Sequence, residues 1–344
     1  MKIPTVAIVY GQVDPSAPPD ERDVLVEADA VRTALHALGH RTIDVPLTLD
    51  LGAAAARLKA AAPLIAFNLA ETVDGKGSLI QLAPSLLDSL RIAYTGAPCE
   101  AIVLTSHKLL AKKMLVAAGI ATPPWTTATA ALNHDPDFRH PWIVKSVWEH
   151  ASIGLSDGSV VNDRAELAAE VERRTATEPI DHLFVEGFVE GREFNLALLG
   201  GTPGGKPQAL PPAEIQFVGF PEGKPRMVGY KAKWAEGSFE YGSTVRRADF
   251  PAEDGDLLST LVATSVECWR LFGLRGYARV DFRVDEAGRP WVLEINTNPC
   301  ISPDAGFMAA AGRAGLTIEE VVRRIVADAT SAGGCCGDAE ERHS

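Results

Sequence analysis

The sequence predicts an α/β protein of three domains, the first built on a doubly wound parallel sheet. Three observations predict it. Short apolar runs alternate with helical segments over residues 1–96, while strands dominate from Arg192 onward. The 344-residue length exceeds the roughly 250–300 residues that one core usually fills. Hydrophobic content of 46% with 23% charged residues is that of a chain able to bury a core.

The elements follow in order. TVAIVY (Thr5–Tyr10) is an apolar run closed by Gly11, the mark of a buried parallel strand. A polar, Pro-rich loop, GQVDPSAPPDERD, precedes a helix from about Val24 to Leu38 that Gly39 ends. Arg41–Val45 and Leu64–Leu69 are further strands, and Leu51–Ala61 and Ser78–Leu90 further helices. This βαβαβα rhythm ends near Gly96. The central unit, 97–186, opens with a helix over Thr105–Ala118, capped by Thr105 or Ser106 and stopped by Gly119. Pro123-Pro124 breaks the chain, and the unit continues with strand Trp142–Lys145, helix Glu166–Arg174 and strand Leu183–Glu186. The third unit, 187–330, has strands Glu193–Leu199, Ala213–Val218, Arg279–Val284 and Trp291–Ile295, a helix from Ala252 to Phe272 and another near Ile318–Ala327. Residues 331–344, including Cys335-Cys336, read as a flexible tail.

Composition excludes several functions. A net charge of -12 lacks the basic footprint of a nucleic-acid binder. No run reaches membrane-span length, and MKIPTVAIVYG is too short and poorly flanked for a signal peptide. The five cysteines form no CxxC pair and no zinc spacing, which points to a reduced, cytoplasmic setting.

The chemistry concentrates in YARVDFRVDEAGRPWVLEINTNP, a hairpin turning around Asp285–Arg289. Residues two apart share a strand face, so Arg279 pairs with Asp281, and Glu294 with Asn296. Counting back from the turn sets Asp281 opposite Glu294 within about one residue. Val280, Phe282, Val292 and Ile295 are left for packing. Two carboxylates this close repel unless a cation lies between them. Oxygen donors without Cys or His favour Mg²⁺ or Mn²⁺, which completes its shell with phosphate and water. Arg279 would neutralise a transferring phosphoryl group. The alternative is a solvated hairpin face with cross-strand ion pairs. Lys145 ends an apolar strand before a small-residue loop and favours the first reading, whereas Lys108, Lys112 and Lys113 also fit a solvated helix face.

RVDFRV followed by WVLEINTNP resembles the C-terminal signature of the ATP-grasp superfamily, and within it of the D-alanine–D-alanine ligases. GIATPPW, PWIVKS, FVEG, GREFNLALL and GYKAKW fall in that family's order, so the likeness spans about Val6 to Ala327. The resemblance implies an ATP-grasp fold and a ligase that joins a carboxylate to an amine, both amino acids, through an acyl phosphate. It implies ATP, two magnesium ions held by Asp281, Glu294 and Asn296, and a homodimer formed through the first domain. Arg279 then stabilises the phosphoryl group and the tetrahedral intermediate, and Lys233 lies near the γ-phosphate. Lys108 and Lys145 approach the nucleotide, Ser152 and Gly154 belong to the loop covering its phosphates, Glu186, Phe188 and Val189 form the adenine hinge, and Glu193 meets the ribose. Glu21 stands for a glutamate beside the first amino acid.

The chain departs from the family at the substrate end. Ala151 occupies a serine position, with Ser152 following, and Trp234 a tyrosine position. The usual histidine of the first domain is replaced around Asn68, in FNLAE. Cys300 stands where glycine is common, and the serine expected near residue 305 is missing. Asp304 there would repel a carboxylate and attract an amine. Two alternatives to an amino-acid ligase are a catalytically silent nucleotide-binding regulator and an ATP-grasp ligase for a non-amino carboxylate.

Overall fold

The computed structural model describes residues 3–14, 16–150, 152–201 and 206–333. Its first sheet is parallel, with β1 (Thr5–Gly11) between β2 (Arg41–Leu47) and β3 (Ile65–Asn68). Both faces are covered. Val6, Ile8, Ile65 and Phe67 pack towards α1 (Pro19–Ala37), while Ala7, Val9 and Ala66 pack towards α2 (Leu51–Ala61) and α3 (Leu82–Ser89). Helix α1 starts five residues earlier than the sequence reading, inside the presumed loop. Pro19 at its first turn needs no N–H partner there, and Asp20 and Glu21 suit the positive helix end.

The segment read as one helix over Thr105–Ala118 is two, α4 (Cys99–Ser106) and α5 (Lys108–Ala117). Thr105 and Ser106 close the first helix instead of capping the second. His107, in extended conformation, is the cap: its ring accepts from the Leu110 N–H. Both helices pack on the third sheet. The central sheet is antiparallel, in the order β4 (Trp125–Thr127), β7 (Leu183–Gly187), β5 (Trp142–Ser146), β6 (Val160–Val161), and α6 (Ala128–Asn133) and α7 (Arg164–Thr175) cover it.

The third sheet runs β11 (Thr244–Arg247), β10 (Ala213–Phe217), β8 (Arg192–Leu199), β12 (Tyr277–Val284), β13 (Pro290–Asn296), with β9 (Gln208–Ala209) beside β8. Its apolar face carries Phe194, Leu196, Val280, Phe282, Val292 and Ile295 against α4, α5 and α10 (Gly255–Leu271). Each large side chain so buried contributes roughly 2–3 kcal/mol. The opposite face is polar and looks into the cavity. Between β10 and β11 lie α8 (Tyr230–Trp234) and α9 (Phe239–Ser243), and α11 (Gly306–Arg313) follows the hairpin. Helix α12 (Ile318–Gly333) packs on α1 and β3 as well as β8, so the chain returns to its first sheet. It runs through the first residues assigned to a tail, and Cys335-Cys336 lies outside the described residues.

One contact fixes the first loop of the cavity. A Cβ on Gly11 would stand 2.4 Å from the Thr72 carbonyl oxygen. Gly11→Ala is therefore expected to lower unfolding free energy by about 1–3 kcal/mol, read by urea denaturation.

Candidate active site

A cavity of about 890 Å³ lies between the central and third sheets and reaches the C-terminal end of the first. The hairpin pairs Arg279 with Asn296 and Asp281 with Glu294, one residue from an unbroken count back from the turn. A bulge after Asp281 leaves Leu293 without a partner, so Leu293 and Glu294 both line the cavity. Arg279 grips Asp281 with two parallel hydrogen bonds, Nε to Oδ1 at 2.7 Å and Nη2 to Oδ2 at 2.8 Å. On β8, Asn195 lies opposite Asp281 and donates to Oδ1 at 2.7 Å. Glu193 lies opposite Arg283, 3.4 Å away, and burial holds its carboxyl above the usual range despite that charge.

Glu294 faces cations. Lys108 Nζ is 3.7 Å and His150 Nδ1 4.0 Å from its carboxylate. Burial works to raise its pKa, but Lys108, His150, Lys145 and Lys233 outweigh burial and hold it well below the carboxylate range. Burial pushes Lys108 and Lys233 down, and Arg279 pushes Lys233 further.

At the other end of the cavity Glu186 is 1% exposed yet ionised between two lysines. Lys112 donates to Oε1 at 2.5 Å and Lys145 to Oε2 at 3.0 Å. Lys112 also donates to the Thr122 hydroxyl and lies over the Trp125 ring. Phe188 and Val189 line the same end, with the Arg283 guanidinium over Phe188.

Of the residues singled out by sequence, Arg279, Asp281, Glu294, Asn296, Lys108, Lys145, Lys233, Ser152, Gly154, Glu186, Phe188, Val189 and Glu193 all line this cavity. Glu21 lines its mouth from α1 and is exposed. Asn68 does not reach it: it is 2% exposed and its side chain accepts from the Ala70 N–H. The cavity-lining group on that loop is Glu71. Trp234 lines the cavity, whereas Ala151 lies outside the described residues. Lys108 and Lys112 are 4% and 1% exposed, which corrects the solvated-face alternative; Lys113 alone of that run is exposed. Sequence reasoning missed Lys112, Asn195 and Glu71. The spacing of four from Lys108 marked Lys112, and a polar residue two after Glu193 in an apolar strand marked Asn195.

Two loops lining the cavity, around Ser152–Leu155 and Val228–Tyr230, meet. Ser152 Oγ donates to the Val228 carbonyl at 2.7 Å, and the Tyr230 N–H to Leu155 O at 3.0 Å. The Tyr230 hydroxyl reaches α1, donating to Asp20 at 2.7 Å. Gly154 takes φ +76°, and a Cβ there would stand 3.0 Å from the Arg174 guanidinium.

His150 lines the cavity with neither ring nitrogen hydrogen-bonded among the described residues. Burial first, then Lys108, push its pKa down to about 4. The unfolded chain binds that proton near pH 6.5, so it holds more protons than the folded one between these values and stability falls on acidification. Between pH 7 and 5 the loss from this group is about 2 kcal/mol. Urea titrations at both pH values should show a shallower loss in His150→Gln.

The donor set fits a hard cation. Two carboxylates and an amide supply only oxygen at matched register, and no cluster of three His, Cys, Asp or Glu among the described residues closes a cage. Such a partial shell suits Mg²⁺ completed by phosphate and water.

Comparison with known proteins agrees with this geometry. Residues 114–327 match the family model described as "D-ala D-ala ligase C-terminus". A D-alanine--D-alanine ligase of Moorella thermoacetica is 30% identical over 334 residues, covering 93% of this chain and 97% of that protein. The enzyme of Pelobacter propionicus is 31% identical over 316 residues, covering 90% and 92%. The crystal structure of the Bacillus anthracis D-alanine--D-alanine ligase complexed with ATP superposes with a TM-score of 0.72 at 20% identity, covering 97% of this chain and 99% of that one. That likeness shows the ATP-grasp fold.

Proposed function

We propose that this chain, which belongs to the D-alanine–D-alanine ligase family, uses the cavity to activate the carboxyl group of an amino acid and pass it to a second amine. It is an ATP-dependent, amide-forming ligase of the ATP-grasp type. The observation that carries the residue assignment is the hairpin register, which sets Arg279, Asp281, Glu294 and Asn296 on the cavity face beside Lys108, Lys145 and Lys233.

A carboxylate attacking the γ-phosphate brings two anions together, and the barrier is largely their repulsion. Lys108, Lys145 and Lys233 offset that charge, with Lys145 on the α- and β-phosphates. Arg279, oriented by its paired bonds to Asp281, faces the transferring phosphoryl group and then the oxyanion of the tetrahedral intermediate. Asp281, Glu294 and Asn296 would hold two Mg²⁺ ions, or Mn²⁺, which supply charge neutralisation at the phosphate oxygens. Glu186, Phe188 and Val189 hold the adenine edge and Glu193 the ribose. The amine then attacks the acyl carbonyl and phosphate leaves. The two interlocked loops exclude water, which would otherwise hydrolyse the acyl phosphate.

The proposal includes a cytoplasmic homodimer. The three free cysteines among the described residues suit a reducing compartment. ADP-coupled assays over pairs of D- and L-amino acids test the reading. Substrate-dependent ADP with a matching amide mass supports it; no such ADP from any pair sinks it.

A further inference from the structure

The cavity changes sign along its length. Lys108, Lys145, Lys233 and Arg279 surround the phosphoryl end. Beyond Arg279 the wall is made by Asp23, Glu27 and Glu71, from α1 and the loop after β3. Two of these have partners. Glu27 accepts from the Ile301 N–H at 2.8 Å, and Asp23 lies 3.1 Å from the Cys300 thiol. Glu71 stands between the two ends, within electrostatic reach of Asp23 on one side and of Lys233 and Arg279 on the other.

The loop that carries Glu71 is held firmly. Asn298, two residues after Asn296, donates to the Ala70 carbonyl at 3.3 Å and accepts from the Tyr277 hydroxyl at 2.6 Å. The Asn68 side chain accepts from the Ala70 N–H at 3.2 Å, and the Thr72 carbonyl fills the space where a Cβ on Gly11 would stand. Glu71 is thus fixed relative to the metal hairpin by Asn298 and relative to β1 by Gly11. A positioned carboxylate in a low-dielectric cavity discriminates strongly by charge.

Resting on the functional reading above, we propose that Glu71 holds the amine substrate as its ammonium beside the activated carboxyl, and so sets selectivity for the nucleophile. The activated amino acid keeps its carboxylate among the cations at the γ-phosphate, and Glu21 at the mouth is the carboxylate left for that substrate's own ammonium, so Glu71 is free for the second substrate. The incoming amine arrives as a cation, which this wall attracts, and it passes a proton to the Glu71 carboxylate before the free amine attacks the acyl carbonyl and phosphate leaves. Amines without a carboxylate of their own should therefore be accepted well.

The test separates the two halves of the reaction in Glu71→Gln, with Glu71→Asp as the conservative companion. Hydroxylamine, largely uncharged at pH 7.5, traps the acyl phosphate as a hydroxamate and reports carboxylate activation alone. Glycinamide, a cation with no carboxylate, reports amide formation. Glu71→Gln is expected to keep hydroxamate formation and the KM for the carboxylate substrate near wild type. Its KM for glycinamide should rise about 10- to 100-fold, the loss of one charged hydrogen bond, with Glu71→Asp in between. An unchanged glycinamide KM overturns the proposal. So does an equal loss of hydroxamate, or a raised carboxylate KM, because Glu71 would then serve the other substrate. A wild type that makes hydroxamate but refuses glycinamide also overturns it. A wild type that makes neither hydroxamate nor ADP overturns the functional reading itself, and the inference with it.

Discussion

Glu294→Gln is expected to lower turnover by on the order of a hundredfold or more while leaving the protein folded. The physical reason lies in what surrounds the carboxylate. Lys108 and His150 approach it at 3.7 and 4.0 Å, and Lys145 and Lys233 add to the field that keeps it ionised. Glutamine preserves shape but removes the negative charge and replaces one acceptor oxygen with a donor. The proposed metal binding then weakens, and the lysines lose the anion that balances them. Steady-state ADP release at saturating ATP and graded Mg²⁺ would read this: kcat should fall, and extra Mg²⁺ should restore only part of it. Wild-type turnover in this variant would remove Glu294 from the site.

Lys112→Met is expected to affect stability as well as nucleotide binding. Lys112 and Lys145 together hold the buried carboxylate of Glu186, and burial, with Lys145 adding to it, pushes the Lys112 pKa down to about 8 against the pull of Glu186. With Lys112 gone, Glu186 keeps one cation and loses its 2.5 Å bond. Breaking a buried ion pair from one side typically costs about 3–5 kcal/mol, and with Lys145 still present about 3 kcal/mol is expected. Because Glu186 is the proposed adenine hinge, the KM for ATP should rise with kcat less affected. Denaturant unfolding and an ATP titration check the two parts separately. If stability falls and the ATP KM stays put, Glu186 is a structural group only.

Sequence alone determined the parts of this protein that depend on near neighbours in the chain. The period-2 alternation of YARVDFRV set which of its side chains face the core, because a strand places successive residues on opposite faces; in PWVLEIN the bulge breaks that period, and Val292 and Ile295, three apart, both face the core. The tight turn at Asp285–Arg289 set the register to within one residue, and the bulge after Asp281 then brought Glu294 instead of Leu293 opposite Asp281. The first sheet was legible for the same reason, as apolar runs punctuated by glycine.

Tertiary structure decided what depends on distant segments meeting. The break at His107 follows from docking of α4 and α5 on the third sheet, since the local pattern there continues as a helix. Lys112 was ambiguous in sequence because a lysine on a helix face is equally suited to water; only the buried Glu186, 74 residues away, makes it internal. Glu71 stood unnoticed beside Asn68, because loop residues carry no periodicity to show where they point. Packing of the first domain against the hairpin, through Asn298 and Ala70, carries it into the cavity. The polar hairpin is largely local geometry and reads from the chain to within one residue. The acidic wall of Asp23, Glu27 and Glu71 is assembled from two separate segments, α1 and the loop after β3, and only their packing brings these carboxyls together.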